Sequence, residues 1–427
     1  MKFAWAMLKV VAGAFVLGLV FALLAAFGLW VRVLPTAGEW TARVPVGPLT
    51  VEVGVLRVMD ALTDPRFAPW IARLEGRTWP TPAGPLSLRH DTSTHTLHLR
   101  CAPCRLHAAA FGDVPLVLAE LELSVRREGE RRWQGSLASG DVRVAWRARP
   151  VAATPTVATA RGRGGASTAA SGERSPAASS GRPSGQSLEL HFELPETRLD
   201  ALYALLGEAV PELQRARIDG TLALVASLRL PEGRWRVEPL LRGFEVHGLG
   251  TEALAHVEPP SQCLPLLRRV SPWLERAVVA AEDQRFFDHP GYDLAELRRA
   301  LAAPTADVRV RGASTITQQL AKLLYVGDER SVVRKARELL YAVEMERTLG
   351  KGRILRLYLA VAPWGDGLCG AQAASRAWFG SGAAALDAQQ AAWLALRLRR
   401  PDAPVDWVTP ERVARLLDQV RARARVS

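Results

Sequence analysis

The sequence predicts an α+β, multidomain chain: an N-terminal transmembrane helix over 1–32, a β-rich antiparallel domain over 33–250 and a mainly α domain over 251–427. Three observations carry this. An uncharged apolar run lies near the start, a long middle stretch alternates polar and apolar residues, and from about Pro259 the apolar period becomes that of a helix. With 427 residues there is room for two or three domains, and 48% hydrophobic with 23% charged residues is ordinary folding material.

The first element is the run Val10–Val31, VVAGAFVLGLVFALLAAFGLWV, which carries no charge and is long enough to span a bilayer as a helix. Lys2 and Lys9 precede it, which favours a cytoplasmic N-terminus and places everything after Arg32 on the far side of the membrane. A cleaved signal peptide, usually shorter in its apolar part, is the alternative, and either way the bulk is exported. The net charge of +12 is nearly all arginine, lysine occurring only at 2, 9, 322, 335 and 351. There is no basic run with interleaved aromatics, so no nucleic-acid partner is expected. Cys101 and Cys104 form a lone CAPC without the second pair a structural zinc needs, so a local disulfide or two thiols is expected.

The second element spans about Thr50 to Val246. LSLRHDTSTHTLHLR and LVLAELELSVRR alternate like strands with one wet face, and strand pattern returns at LELHFEL, TLALVASLRL and RWRVEPLLRGFEV. Between them, residues 151–187 are mostly Ala, Ser, Gly, Thr, Pro and Arg without an apolar period, which reads as a disordered insertion within one β-rich domain, a linker between two domains being the alternative. A helix on LDALYALLGEAV is expected among the later strands.

The third element is a series of helices. SPWLERAVVAAED offers Ser271 as an N-cap and Pro272 at the first helical position, with the stop at Pro290-Gly291. STITQQLAKLLY has a capping box in Thr315 and Gln318, with Ile316, Leu320, Leu323 and Leu324 as its apolar stripe. SVVRKARELLYAVEMERTLG runs from Ser331 to Gly350, with Val332, Ala336, Leu339, Leu340 and Val343 facing inward.

Three groups in this helical part could do chemistry. Glu282 shares a helix face with Val278, Val279 and Phe286, where desolvation lifts a carboxylate toward the range useful for proton transfer; a helix-end acid paired with Arg285 is the plainer reading. The hydroxyl- and amide-rich helix start at Ser314, Thr315, Gln318 and Gln319, with Lys322 two turns on, could receive an anion. Arg330, Arg334 and Glu338 are spaced four apart, either as a solvated row or as two guanidiniums offered to a phosphate and oriented by the acid.

The ordered series EDQRFFDHPG, RGASTITQQLAK, RKARE, KGRILRLYL and WGDGLCGAQAASRAWFG resembles the peptidoglycan glycosyltransferase domain of family 51, most closely the monofunctional biosynthetic transglycosylases. The resemblance covers about Ser261 to Pro404. It implies a lysozyme-like glycosyltransferase domain beside the inner membrane, single-pass, with its bulk periplasmic. The partners it implies are lipid II, the growing glycan strand, the membrane and cell-wall synthesis proteins. By the same resemblance Glu282 is the base and Glu338 the second catalytic carboxylate, which holds basic groups or a divalent cation, Mg or Mn. Asp283, Ser314, Thr315, Gln318, Gln319, Lys322, Arg330 and Arg334 are then substrate-binding. The SxxK and KTG patterns of a transpeptidase are absent from the sequence. The chain departs from the family at Leu323, Arg356, Ala360 and Cys369. These departures keep a silent scaffold in view beside the active polymerase, and a lytic enzyme using Glu282 as an acid is a third reading.

Overall fold

The computed structural model describes residues 41–46, 49–107, 111, 115–152, 186–230, 233–256, 263, 269–302, 314–327 and 331–424. The expected membrane run Val10–Val31, most of the expected insertion, and Arg330 lie outside them. Among the described residues no helix is long and apolar enough to cross a membrane.

The β-rich part begins with a hairpin, β1 (Thr41–Val46) and β2 (Leu49–Gly54), then two helices, α1 (Val55–Thr63) and α2 (Ala68–Ala72). Strands β3 (Thr78–Thr81), β4 (Gly84–Asp91) and β5 (Thr96–Cys101) follow, and a small pair, β6 (Cys104–Leu106) with β7 (Leu116–Leu118). Then come β8 (Leu121–Arg127), β9 (Trp133–Ser139), β10 (Val142–Ala152), β11 (Gln186–Arg198), α3 (Leu199–Ala204), β12 (Arg217–Leu230) and β13 (Arg234–His247). Apart from β1–β2 and β6–β7, the strands form one nine-stranded sheet in the order β13-β12-β11-β10-β9-β8-β5-β4-β3, every neighbour antiparallel. Because Val151 pairs with Ser187 and Ala152 with Gln186, the strands flanking the low-complexity stretch belong to the same sheet. Cys101 and Cys104 are joined in a disulfide.

The helical part comprises α4 (Pro272–Glu282), α5 (Leu294–Ala302), α6 (Ile316–Ala321), α7 (Val332–Val361), α8 (Ala371–Phe379), α9 (Ala388–Arg399) and α10 (Pro410–Ala424). Gly350, at φ 70°, breaks α7 where the sequence places a helix end, and the chain resumes as a helix after it. One apolar core runs through these helices and into the last strands: Leu274, Val278, Leu320, Leu340 and Leu359 share it with Leu199, Tyr203, Val210, Phe244 and Val246. The sheet end and the helices are therefore packed as one body of side chains, which desolvates both surfaces.

Three expectations are corrected here, and the N-cap at Ser271 holds in position while its side chain bonds elsewhere. The first helix stops at Glu282, not at Pro290, so Phe286 lies beyond it and reaches the core by folding back, with no exposed surface. Ser271 stands at the N-cap but its hydroxyl donates to the Leu386 carbonyl at 2.7 Å, tying α4 to the turn before α9. Val332 is 54% exposed at the first position of α7, and its neighbour Val333 is buried instead. Leu323 is exposed because α6 gives way to a π-helical turn, Lys322–Val326, whose wider spacing rotates residue 323 off the buried stripe.

Candidate active site

Glu282 and Asp283 are adjacent in sequence but face different surroundings, because α4 ends between them. Asp283 is its C-cap, extended at φ −153° and ψ 81°, and its carboxylate is buried. It accepts from the Ile316 amide at 2.9 Å and lies 3.0 Å from His289 Nε2. The Gly291 amide donates to His289 Nδ1, which leaves the ring proton on Nε2 and aims it at Asp283. The start of α6 thus receives an anion, but that anion is the chain's own Asp283. Thr315 and Gln318 close the expected capping box, and the Thr315 hydroxyl donates to the Gly291 carbonyl at 2.7 Å. Gly291 must be glycine, since at φ 91° a Cβ there would stand 2.9 Å from the Ala342 carbonyl of α7.

Glu282 instead turns into a cleft of about 650 Å³. Its Oε2 accepts from Gln319 Nε2 at 3.1 Å, while its Oε1 is buried with no hydrogen-bond partner. Arg285, the partner of the plainer reading, pairs with Asp293. Burial raises the Glu282 pKa above the usual glutamate value; the Gln319 bond and Arg399 work the other way and Asp283 adds to the rise. Gln319 is held in turn by Tyr358, whose hydroxyl donates to Gln319 Oε1 at 2.7 Å. Desolvation, with Glu282 and Asp283 nearby, pushes that hydroxyl well above the ordinary tyrosine range, so it stays a donor.

The cationic wall comes from α7 and the π-turn. Glu338, 2% exposed, is bonded through Oε1 to the Arg334 guanidinium and through Oε2 to Lys335 Nζ at 2.9 Å. Lys335 also donates to Ser314 Oγ at 2.7 Å and to Gln318 Oε1 at 2.9 Å, drawing the start of α6 onto α7. Partial burial, then the cations of Arg334 and Lys322, bring the Lys335 pKa down to about 8. Arg334 keeps a buried Nε with no hydrogen-bond partner, and Lys322 lines the same cleft from the first position of the π-turn.

Of the residues proposed from sequence, Glu282, Ser314, Gln319, Lys322, Arg334 and Glu338 come together around this cleft. Asp283, Thr315 and Gln318 do not line it; they hold its elements in place. Arg330 lies outside the described residues. Tyr358 and Lys335 were missed, although both stand in quoted motifs, as were Arg399, Arg400 and Trp407 at the rim. Both Glu338 oxygens are engaged by cations, and among the described residues no group of three His, Cys, Asp or Glu could hold a metal. Among the described residues, therefore, Glu338 with its two bound cations does not fit the divalent-cation alternative. Arg356 is exposed on the outer face of α7 and Ala360 is buried, neither lining the cleft, while Cys369 is joined to Cys263 in a second disulfide that spacing alone did not suggest.

Residues 251–425 match the family model described as Transglycosylase. The biosynthetic peptidoglycan transglycosylase of Thiobacillus denitrificans is 47% identical over 134 residues, 31% of this chain and 58% of the relative. That of Cronobacter sakazakii is 45% identical over 132 residues, 31% and 55%, and that of Stutzerimonas stutzeri 44% over 146 residues, 33% and 60%. The chain spans between half and two thirds of the length of these relatives. Over residues 251–425 this chain is similar to the transglycosylase family and, within that stretch, to the biosynthetic peptidoglycan transglycosylases.

Proposed function

We propose that the chain is a peptidoglycan glycosyltransferase that joins lipid II to a growing glycan strand. The observation that carries the reading is the pair of unpartnered buried polar atoms in one cleft, an acceptor at Glu282 Oε1 and a donor at Arg334 Nε, beside Lys322. Transfer from a diphosphate donor needs a base at the attacking hydroxyl and positive charge at the leaving group, and these are the groups present.

In this reading Glu282 takes the proton of the acceptor sugar's 4-hydroxyl. The oxygen attacks the donor's anomeric carbon from the face opposite the diphosphate. The C–O bond to phosphate breaks with inversion, and undecaprenyl diphosphate leaves with the electron pair. Lys322 and Arg334, with Arg330 as a further candidate, stabilise its charge, and Glu338 holds the cations without taking a proton itself. Gln319, fixed between Tyr358 and Glu282, keeps the base aimed. The Val10–Val31 run would anchor the chain, N-terminus in the cytoplasm and bulk periplasmic, beside a lipid substrate that stays in the membrane. Two disulfides suit such an oxidising compartment.

The test is polymerisation of labelled lipid II by the purified full chain and by Glu282→Gln. Glycan strands from the wild type and a loss of about 10²–10⁴ in kcat for the variant are expected. No polymer from the wild type, under conditions in which another polymerase works, would refute the reading.

A further inference from the structure

Between β11 and β12 the chain leaves the sheet for residues 199–216, which lie N-terminal to the segment that matches the family. This excursion does not rest idly on the helical part. Glu212, 4% exposed, receives Arg337 in a bidentate pair, Nε to Oε2 at 2.9 Å and Nη2 to Oε1 at 2.7 Å. Tyr203 donates its hydroxyl to the Ala336 carbonyl at 3.1 Å. Ala336 and Arg337 sit inside the turn of α7 that carries Arg334, Lys335 and Glu338. The excursion therefore grips that turn from the side opposite the cleft.

A second line of contact reaches Lys322. Arg215 donates to the Tyr341 hydroxyl at 3.1 Å, and the Tyr341 ring lies flat against Tyr325, with centroids 4.2 Å apart and planes 3° from parallel. Tyr325 belongs to the π-turn Lys322–Val326. This π-turn follows α6 and ends at Gly327, and because π-helical turns are rare and occur singly, its conformation depends on what is packed against it. Here that support comes from the stacked tyrosines and, behind them, from Arg215. Farther along α7, buried Glu344 accepts from the Leu249 and Thr251 amides at 2.9 and 3.2 Å, which fixes the end of the sheet to the same helix.

We propose that the β-rich unit is a clamp that sets the cationic wall of the cleft, with Glu212, Tyr203 and Arg215 as positioning residues for the groups that meet the leaving diphosphate. A bidentate carboxylate–guanidinium pair with a buried carboxylate holds direction as well as distance, which a loose surface ion pair does not. The role in catalysis rests on the proposed transfer reaction; the clamp itself rests only on the contacts above.

The experiment uses the full chain with Glu212→Gln, Arg215→Leu and the double variant Glu212→Gln/Arg337→Gln. Two readouts are taken: amide hydrogen exchange of residues 314–327 and 331–345, and kcat and KM for lipid II polymerisation well below the measured Tm. Arg215 is exposed, so its variant folds even if the buried Glu212 site tolerates change poorly. Exchange is expected to quicken in both segments. In Glu212→Gln and Arg215→Leu, kcat is expected to fall about 2- to 30-fold with KM little changed. The double variant should lose no more than Glu212→Gln, because the two side chains act as one unit. Arg215→Lys, which keeps a donor, should recover most of the loss. Unchanged exchange would overturn the clamp, and faster exchange with unchanged kcat would overturn the positioning role. If the wild type makes no polymer, the transfer reading fails while the exchange arm still decides the clamp.

Discussion

Replacing Glu282 by Gln should make the protein more stable at neutral pH while it loses activity. The carboxylate is partly buried, one oxygen is bonded to Gln319 and the other has no partner. A buried polar atom left without a partner costs about 1–3 kcal/mol, and a charged one lies at the upper end. Gln keeps the bond from Gln319 and exchanges a charged orphan for a neutral one, so the expected gain is about 1 kcal/mol. For a unit the size of the helical part that is a rise in Tm of about 2–4 °C. The sign with pH follows from the raised pKa. The folded chain holds the Glu282 proton to higher pH than the unfolded chain, so stability from this group falls as pH climbs from the usual glutamate value toward the folded one. At pH 4 wild type and variant should melt together, and at pH 7.5 the variant should melt higher. Scanning calorimetry of both proteins across this range is the assay. A variant that melts lower at pH 7.5, or a gap that persists at pH 4, would show that Glu282 is not a desolvated carboxylate.

Three further outcomes are expected. Lys335, brought down to about 8, should give polymerisation an alkaline limb near that pH, and Lys335→Arg, which stays charged, should remove it; a limb unmoved in the variant assigns it elsewhere. Tyr358→Phe frees Gln319 to turn from Glu282 and should lower kcat roughly 2- to 12-fold, the worth of one hydrogen bond of about 0.5–1.5 kcal/mol, with Tm moved little. The Cys263–Cys369 disulfide closes a loop of 106 residues, so Cys263→Ser/Cys369→Ser should lose about 2–4 kcal/mol and its Tm should become insensitive to reductant acting on this bond, whereas the short Cys101–Cys104 loop contributes less; equal Tm for wild type and variant would count against the long-range bond.

What the sequence made legible was whatever local chemistry specifies. The capping box at Thr315 and Gln318, the helix break at Gly350 and the alternating strands on either side of the low-complexity stretch are each written within a few residues, and each is found in the structure. Motif order brought Glu282, Lys322, Arg334 and Glu338 into consideration together, and the fold brings them to one cleft. What could not be read depends on partners far along the chain. Leu323 was placed on a buried stripe because an α-helical period was assumed, and the π-turn that rotates it outward is stabilised by Tyr341, sixteen residues beyond Tyr325. Lys335 falls outside the four-residue spacing of Arg330, Arg334 and Glu338, yet it serves Ser314, Gln318 and Glu338, the first two outside its own helix.

The acidic pair shows most clearly why residue type and spacing were insufficient. On a continuous helix Glu282 and Asp283 would point about 100° apart, both onto the same partly apolar surface, and no argument from period could assign them different tasks. Ending α4 at Glu282 separates them. Asp283, released into extended backbone, reaches the first amide of α6, that of Ile316, 33 residues away. With the Ile316 amide already taken by Asp283, the cations that line the cleft among the described residues are side chains on α7, the π-turn and the end of α9 with the residue after it. Glu282, still helical, is left facing those cations across the cleft with an oxygen unpaired. The end of α4 falls between the two acids, so Glu282 keeps its helical direction into the cleft while Asp283, at the C-cap, bonds to the Ile316 amide of another helix.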